Sequence, residues 1–108
     1  MKISKLKGSN KNKGLCRVRI EGEMTIYKAA EIMDKFIPFW REYNQFELDL
    51  AGVGEIDTAG VQLLLMFARK SEASKNAMPL LATSEPVSEV LNIYRLSPRF
   101  NIQTQPLQ

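Results

Sequence analysis

The sequence predicts one α/β domain in which a single small mixed β-sheet of about five strands carries three or four α-helices. Three observations lead there. Phe46, Leu48 and Leu50 alternate with Glu47 and Asp49, as in a strand with one apolar face. Apolar residues recur at helical spacing in three further segments, each opened by residues of N-cap type. Met78 to Ala82 (MPLLA) is apolar on both faces, as in a strand covered by helices. Strands alternating with helices imply right-handed crossovers. The expected organisation is βαβαβαβ-like with an extra N-terminal strand, the helices lying on one face of the sheet.

Lys2 to Lys7 (KISKLK) and Leu15 to Ile20 (LCRVRI) are short alternating segments joined by the turn-rich GSNKNKG, so they read as a β-hairpin whose first strand is an edge. Cys16, Val18 and Ile20 face the core. Glu21 to Thr25 read as a turn, with Thr25 capping a helix from about Ile26 to Tyr43. Its inward stripe is Ala29, Met33, Phe36, Ile37, Trp40 and Tyr43. Pro38 falls on the polar side of that helix and predicts a kink or a break there.

The strand at Phe46–Leu50 is expected to end where Ala51 to Gly54 bring two glycines. Asp57 and Thr58 then open a second helix with the stripe Val61, Leu64, Leu65 and Ala68, ending near Ser74. Lys75 and Asn76 form a turn before MPLLA. Ser84 caps a third helix with Pro86 in its first turn and Val87, Val90, Leu91 and Tyr94 inward. Ser97 and Pro98 end it, and Phe100 to Thr104 (FNIQT) form a last short strand.

Composition removes several classes of function. The chain has 108 residues, 44% hydrophobic and 25% charged, which suits one globular core without metals or disulfides. It has one cysteine and no histidine, so an internal disulfide, a zinc cluster and His-dependent general base chemistry are all ruled out. Cys16 reads as a small buried hydrophobe. No apolar run approaches the roughly 20 residues of a membrane span, and Met1 to Lys13 lack the apolar core of a signal peptide. A cytoplasmic protein is the expectation. The net charge of +3 is uneven: Lys2 to Arg19 is basic throughout, leaving the rest mildly acidic. The glycine- and asparagine-interrupted basic arm reads first as a solvated hairpin and second as a nucleic-acid or membrane-surface patch.

The strand-to-helix corner at Asp57, Thr58, Ala59 and Gly60 presents free N–H groups and the positive end of a helix dipole, a place that accommodates a phosphate. A strand, a short loop and then Asp, a hydroxyl residue, a small residue and Gly opening an apolar helix resembles the signature of the STAS domain family. That family comprises sulfate transporter C-terminal domains and bacterial anti-sigma factor antagonists. Ile20 to Met24 (IEGEM) is similar to the family's early Gly-Glu turn, and Thr83 to Leu96 (TSEPVSEVLNIYRL) to its Ser-Pro helix. The resemblance covers nearly the whole chain. It implies a STAS-like sandwich and a non-enzymatic interaction module without cofactor. Its implied partner is a serine/threonine kinase-like anti-sigma factor that phosphorylates Thr58. The family often has Ser followed by Ser where this chain has Thr58 and Ala59, which leaves one acceptor, and Thr25 stands where an acidic residue is common. The lack of a span argues against the transporter branch.

The simplest structural role of Asp57 or Thr58 is as an N-cap worth about 1 kcal/mol. Beside the corner, Ala59, Gln62, Leu63, Met66 and Lys70 form a stripe away from Val61, Leu65 and Ala68, so Leu63 and Met66 are expected as exposed apolar partner contacts. The expected partner-binding residues are therefore Asp57, Thr58, Ala59, Gly60, Gln62, Leu63 and Met66. Asp49, Glu55 and Asp57 are the only hint of an Mg²⁺ site, and no phosphate-cradling motif accompanies them. No catalytic or metal residue is assigned. Two other readings stand beside the switch. One is a STAS subunit of a chemotaxis-linked, stress-sensing or lipid-transport complex without phosphorylation. The other is a basic-arm nucleic-acid or membrane-surface binder. A monomer or weak dimer is expected.

Overall fold

In the structure, a computed structural model describing residues 1–72 and 78–102, the N-terminal segments form the expected hairpin. Strand β1 (Lys2–Lys5) pairs antiparallel with β2 (Leu15–Met24) through a connection containing a 3₁₀ turn at Lys11–Lys13. Helix α1 (Ala29–Glu42), β3 (Gln45–Ile56), α2 (Thr58–Glu72), β4 (Pro79–Thr83), α3 (Glu85–Ile93) and β5 (Asn101–Ile102) follow in order. The sheet runs β1-β2-β3-β4-β5, with β2 through β5 all parallel. With strands laid down in sequence order, right-handed crossovers put the three connecting helices on one face. Along β2 and β3, Cys16, Val18, Ile20, Phe46, Leu48 and Leu50 are accordingly fully buried. The other face carries the ion pairs Arg17–Glu47 (2.6 Å) and Arg19–Asp49 (3.1 Å) across the two strands. The expected mixed sheet with helices on one face is the fold observed.

Two strands outrun their expected ends. β2 continues through the residues expected as a turn, and β3 continues through Gly52 and Gly54 to Ile56, because each gives the other its ladder partners. Glu21 pairs with Gly52, Gly22 with Val53 and Met24 with Ile56, with register shifts that absorb the irregularity. A β-carbon at Gly52 would lie 2.8 Å from Glu21 Cγ, so the glycine makes room for its cross-strand neighbour rather than ending the strand.

Helix α1 starts later than expected. Residues 25–28 form a turn in which Lys28 N donates to Thr25 O at 2.9 Å, and the helix begins at Ala29. Thr25 is buried and its hydroxyl has no hydrogen-bond partner, so it does not cap the helix. Pro38 lies inside α1 without breaking it. Its ring is on the exposed side, where the carbonyl left without a backbone donor is open to solvent rather than sealed in the core. The inward stripe is centred on Ile32 and Phe36, with Ala29, Met33 and Trp40 packed at its margin. Ile32 was absent from the expected stripe.

Phe67 of α2 was also absent from its expected stripe, yet it is fully buried. It stacks on Phe36 with centroids 4.1 Å apart, and Phe36 meets Phe46 edge-on at 5.0 Å. This trio joins α1, α2 and β3, and each pair adds about 0.5–1.5 kcal/mol beyond area burial. Ser71 Oγ accepts from Phe46 N at 3.1 Å, tying α2 to the start of β3.

Ser84 caps α3 as expected, accepting from Val87 N at 3.4 Å. Val87 and Leu91 are buried, but Tyr94, expected inward, is exposed. It follows the last helical residue, where the chain turns into the left-handed conformation at Arg95 (φ 57°). Asn101–Ile102 of the expected last strand pair with Pro79 and Leu80. The expected end of α2 at Ser74, the Lys75–Asn76 turn and Gln103–Thr104 lie outside the described residues.

Candidate functional site

Strand β3 ends at Ile56 and α2 begins at Thr58, so Asp57 is the one residue between them. All its polar groups are engaged. Its N–H donates to Met24 O (3.2 Å) and its carbonyl accepts from Val61 N (3.0 Å). Oδ1 accepts from Gly60 N (3.2 Å) and Oδ2 accepts from Ile26 N (3.0 Å). Asp57 is thus the N-cap of α2, with the geometry expected of the position. It is also a latch that holds the β2–α1 turn against the helix start. The Ile26 N–H holds its carboxyl below the usual carboxylate range, opposed by burial and helped by the N–H groups of Gly60 and Ala59.

That depression fixes a pH dependence. The folded chain holds the Asp57 proton less tightly than the unfolded chain, where the group titrates near ~3.9. The capping contribution is therefore complete above that value and is lost as pH falls through the lower folded value. Asp57→Asn keeps a capping oxygen but removes the titration. Wild type is expected to lose more stability than Asp57→Asn on acidification through and below the usual carboxylate range, by about 1 kcal/mol. Thermal unfolding over a pH series measures this, and parallel acid limbs would refute it.

Thr58 occupies the first helical position and is exposed. Gly60 is buried because helix and strand end touch there: a β-carbon would collide with Met24 O and come within 2.8 Å of Ile56 Cγ1. Of the other expected contact residues, Gln62 is exposed, while Ala59 and Met66 are half-buried. Leu63 departs from expectation. It is only 7% exposed and belongs to the core, because α1 and the sheet together cover more of α2 than its Val61–Leu65–Ala68 stripe implied. The exposed apolar neighbours of the corner are instead Ile26 (63%) and Tyr27 (88%) in the β2–α1 turn, with Ile26 fixed to Asp57 by its own N–H. The signal for them was in the chain: two large apolar residues that fit neither β2 nor the inward stripe of α1.

The three carboxylates considered for Mg²⁺ are not poised together for a metal. Asp49 pairs with Arg19 and accepts from Ala51 N (3.0 Å), whereas Asp57 serves α2. Among the described residues no group of three or more His, Cys, Asp or Glu side chains could hold a metal ion. Cys16 is buried within β2, and burial pushes its thiol up. Arg17 and Arg19 of the basic arm are bound to β3 and Lys11 to Glu42. No described helix is long and apolar enough to cross a membrane.

A family model described as "Mlab, STAS domain" matches residues 9–102. Two solved structures share the fold at 20% identity. The "Bacillus Cell Fate Determinant SpoIIAA in the Phosphorylated Form" gives a TM-score of 0.65 over 96% of this chain and 93% of that one. The "Anti-Sigma Factor Antagonist SpoIIAA in its Unphosphorylated Form" gives 0.70 over 96% and 90%. Among curated proteins, no sequence matches.

Proposed function

The chain belongs to the Mlab STAS-domain family, and from that premise we propose that it is a non-enzymatic regulatory module that binds a protein partner over the Asp57–Thr58 corner. One observation carries the reading. An exposed hydroxyl stands at the first position of a 15-residue helix, on a corner held by the four hydrogen bonds of Asp57 and flanked by exposed Ile26 and Tyr27. Apolar and aromatic side chains beside a fixed polar group are what a protein interface uses as anchors. That a structure sharing this fold is of a phosphorylated protein supports reading the exposed Thr58 as the acceptor. The partner is a kinase-like anti-sigma factor, and the setting is the cytoplasm.

A phosphate on Thr58 adds about −1.5 to −2 charges. The helix dipole favours it and the neighbouring Asp57 carboxylate opposes it, so the fold survives while any anionic or desolvated partner surface is repelled. Immobilised wild type, Thr58→Ala and Thr58→Glu, exposed in parallel to extract of the native cells, are expected to differ. A chain retained by the first two is lost from the third, and incubation with that chain and ATP places phosphate on Thr58 by mass spectrometry. Equal retention by all three, or phosphate elsewhere, removes the switch.

A second reading is favoured by Asp57 itself. Its carboxylate already takes the donors of Ile26 and Gly60, which weakens the case for another anion there and suits a complex that is never phosphorylated. Both readings share the contact face. Tyr27→Ala is therefore expected to weaken partner binding by about 2 kcal/mol, or roughly thirtyfold, while the melting temperature stays put, because that ring is exposed. Unchanged affinity would exclude the β2–α1 turn from the interface.

A further inference from the structure

The four parallel strands all begin at the end of the sheet remote from Thr58. The β1–β2 connection and the C-terminal ends of α1, α2 and α3 therefore meet there. Direct contacts join them: Lys11 pairs with Glu42 at 3.1 Å, and Lys70 Nζ donates to Trp40 O. Asn44 N donates to Gly14 O at 3.0 Å, and Asn101 N to Met78 O at 3.1 Å.

This end carries exposed Lys7, Lys13, Arg41, Arg69 and Arg95, and none of the five is seen in an ion pair among the described residues. Cations at helix C-termini complement the helix dipole, which accounts for Arg41 and Arg69. It does not account for the two lysines of the β1–β2 connection. Nor does it explain why Ile93 (70%) and Tyr94 (51%) stand exposed at the same end. The opposite end holds Glu23, Glu55, Asp57 and Glu85, so charge is segregated along the strand axis.

We propose that this basic end docks on an anionic lipid surface. The cations come from four segments spread across a five-stranded sheet, about 19 Å wide at the usual strand spacing. That makes a broad basic end rather than a groove that would track a strand of nucleic acid. A polyanion backbone offers nothing to Ile93. A headgroup layer takes both features, with cations at the phosphates, the Tyr94 ring at headgroup level and Ile93 in the acyl boundary.

The test is co-sedimentation of the full chain with vesicles of phosphatidylcholine alone and of phosphatidylcholine mixed with phosphatidylglycerol. Binding is expected only to the second and should fall with added salt. Lys7→Gln combined with Arg95→Asn should weaken it roughly twenty-five-fold, at about fivefold per cation; asparagine tolerates the left-handed backbone at that position. Ile93→Ser combined with Tyr94→Ser should weaken it at least about tenfold, the loss from two withdrawn apolar side chains. All four positions are exposed, so unchanged thermal unfolding is the control. Thr58→Glu should bind the vesicles like wild type, which separates this surface from the partner face. No binding to anionic vesicles at low salt overturns the proposal. So does binding that survives the Ile93/Tyr94 change, and so does equal affinity for a double-stranded oligonucleotide, which would mark a bare counterion patch.

Discussion

Leu63→Asp is expected to abolish cooperative folding or to lower stability by about 3–5 kcal/mol. The side chain belongs to the core cluster with Val61, Leu64 and Phe67. Aspartate removes its methyl groups from that cluster and places a carboxylate where no described cation pairs with it. Against a typical domain stability of about 5–15 kcal/mol this is close to unfolding. Met66→Asp, half-buried at the margin of the same helix, should cost clearly less. Urea unfolding of the two variants decides the matter. A Leu63→Asp protein with near wild-type midpoint and slope would show that the α2 flank is open, and would return Leu63 to the partner surface.

Gly60→Ala should destabilise by about 3 kcal/mol or more, although alanine is the better helix former by about 1 kcal/mol. The new methyl carbon would overlap Met24 O, a backbone atom at the end of β2, and also approach Met24 Cβ at 2.9 Å. Neither can retreat without breaking the bond from Asp57 N to Met24 O. The first turn of α2 must tilt away from the sheet, carrying Thr58 with it, so loss of partner binding should exceed what the loss of stability predicts. Thermal unfolding together with partner affinity measures both. A variant as stable as wild type would show that the helix start yields easily.

The layout of the fold was legible because periodicity is a burial signal: β3 alternates, and the capped stripe of α3 names its inward face at Val87 and Leu91, though not at Tyr94 beyond the helix end. What sequence periodicity left out was the help that one segment gives another. The two-glycine stretch after Leu50 reads as an end, yet β2 supplies its ladder partners. Thr25 reads as a cap, yet Asp57, thirty-one residues from Ile26, takes the turn's N–H instead. At the candidate site, Asp57 to Gly60 were legible from residue type and order. Ile26 and Tyr27 were hidden by placing the start of α1 three residues too early, and Leu63 by treating α2 as if only the sheet covered it.

The order of the strands also bears on how the molecule opens. β3 lies between β2 and β4, whereas among the described residues β5 holds β4 through two ladder pairs, at Pro79 and Leu80. Fluctuations should therefore peel the chain from its C-terminal edge, with α3 and β5 detaching while β2, β3 and the Phe36–Phe46–Phe67 stack stay closed. Amide hydrogen exchange would show this as a gradient across the sheet: Asn101 and Ile102 exchange in brief local openings, and Leu48 and Leu50 only when the whole domain unfolds.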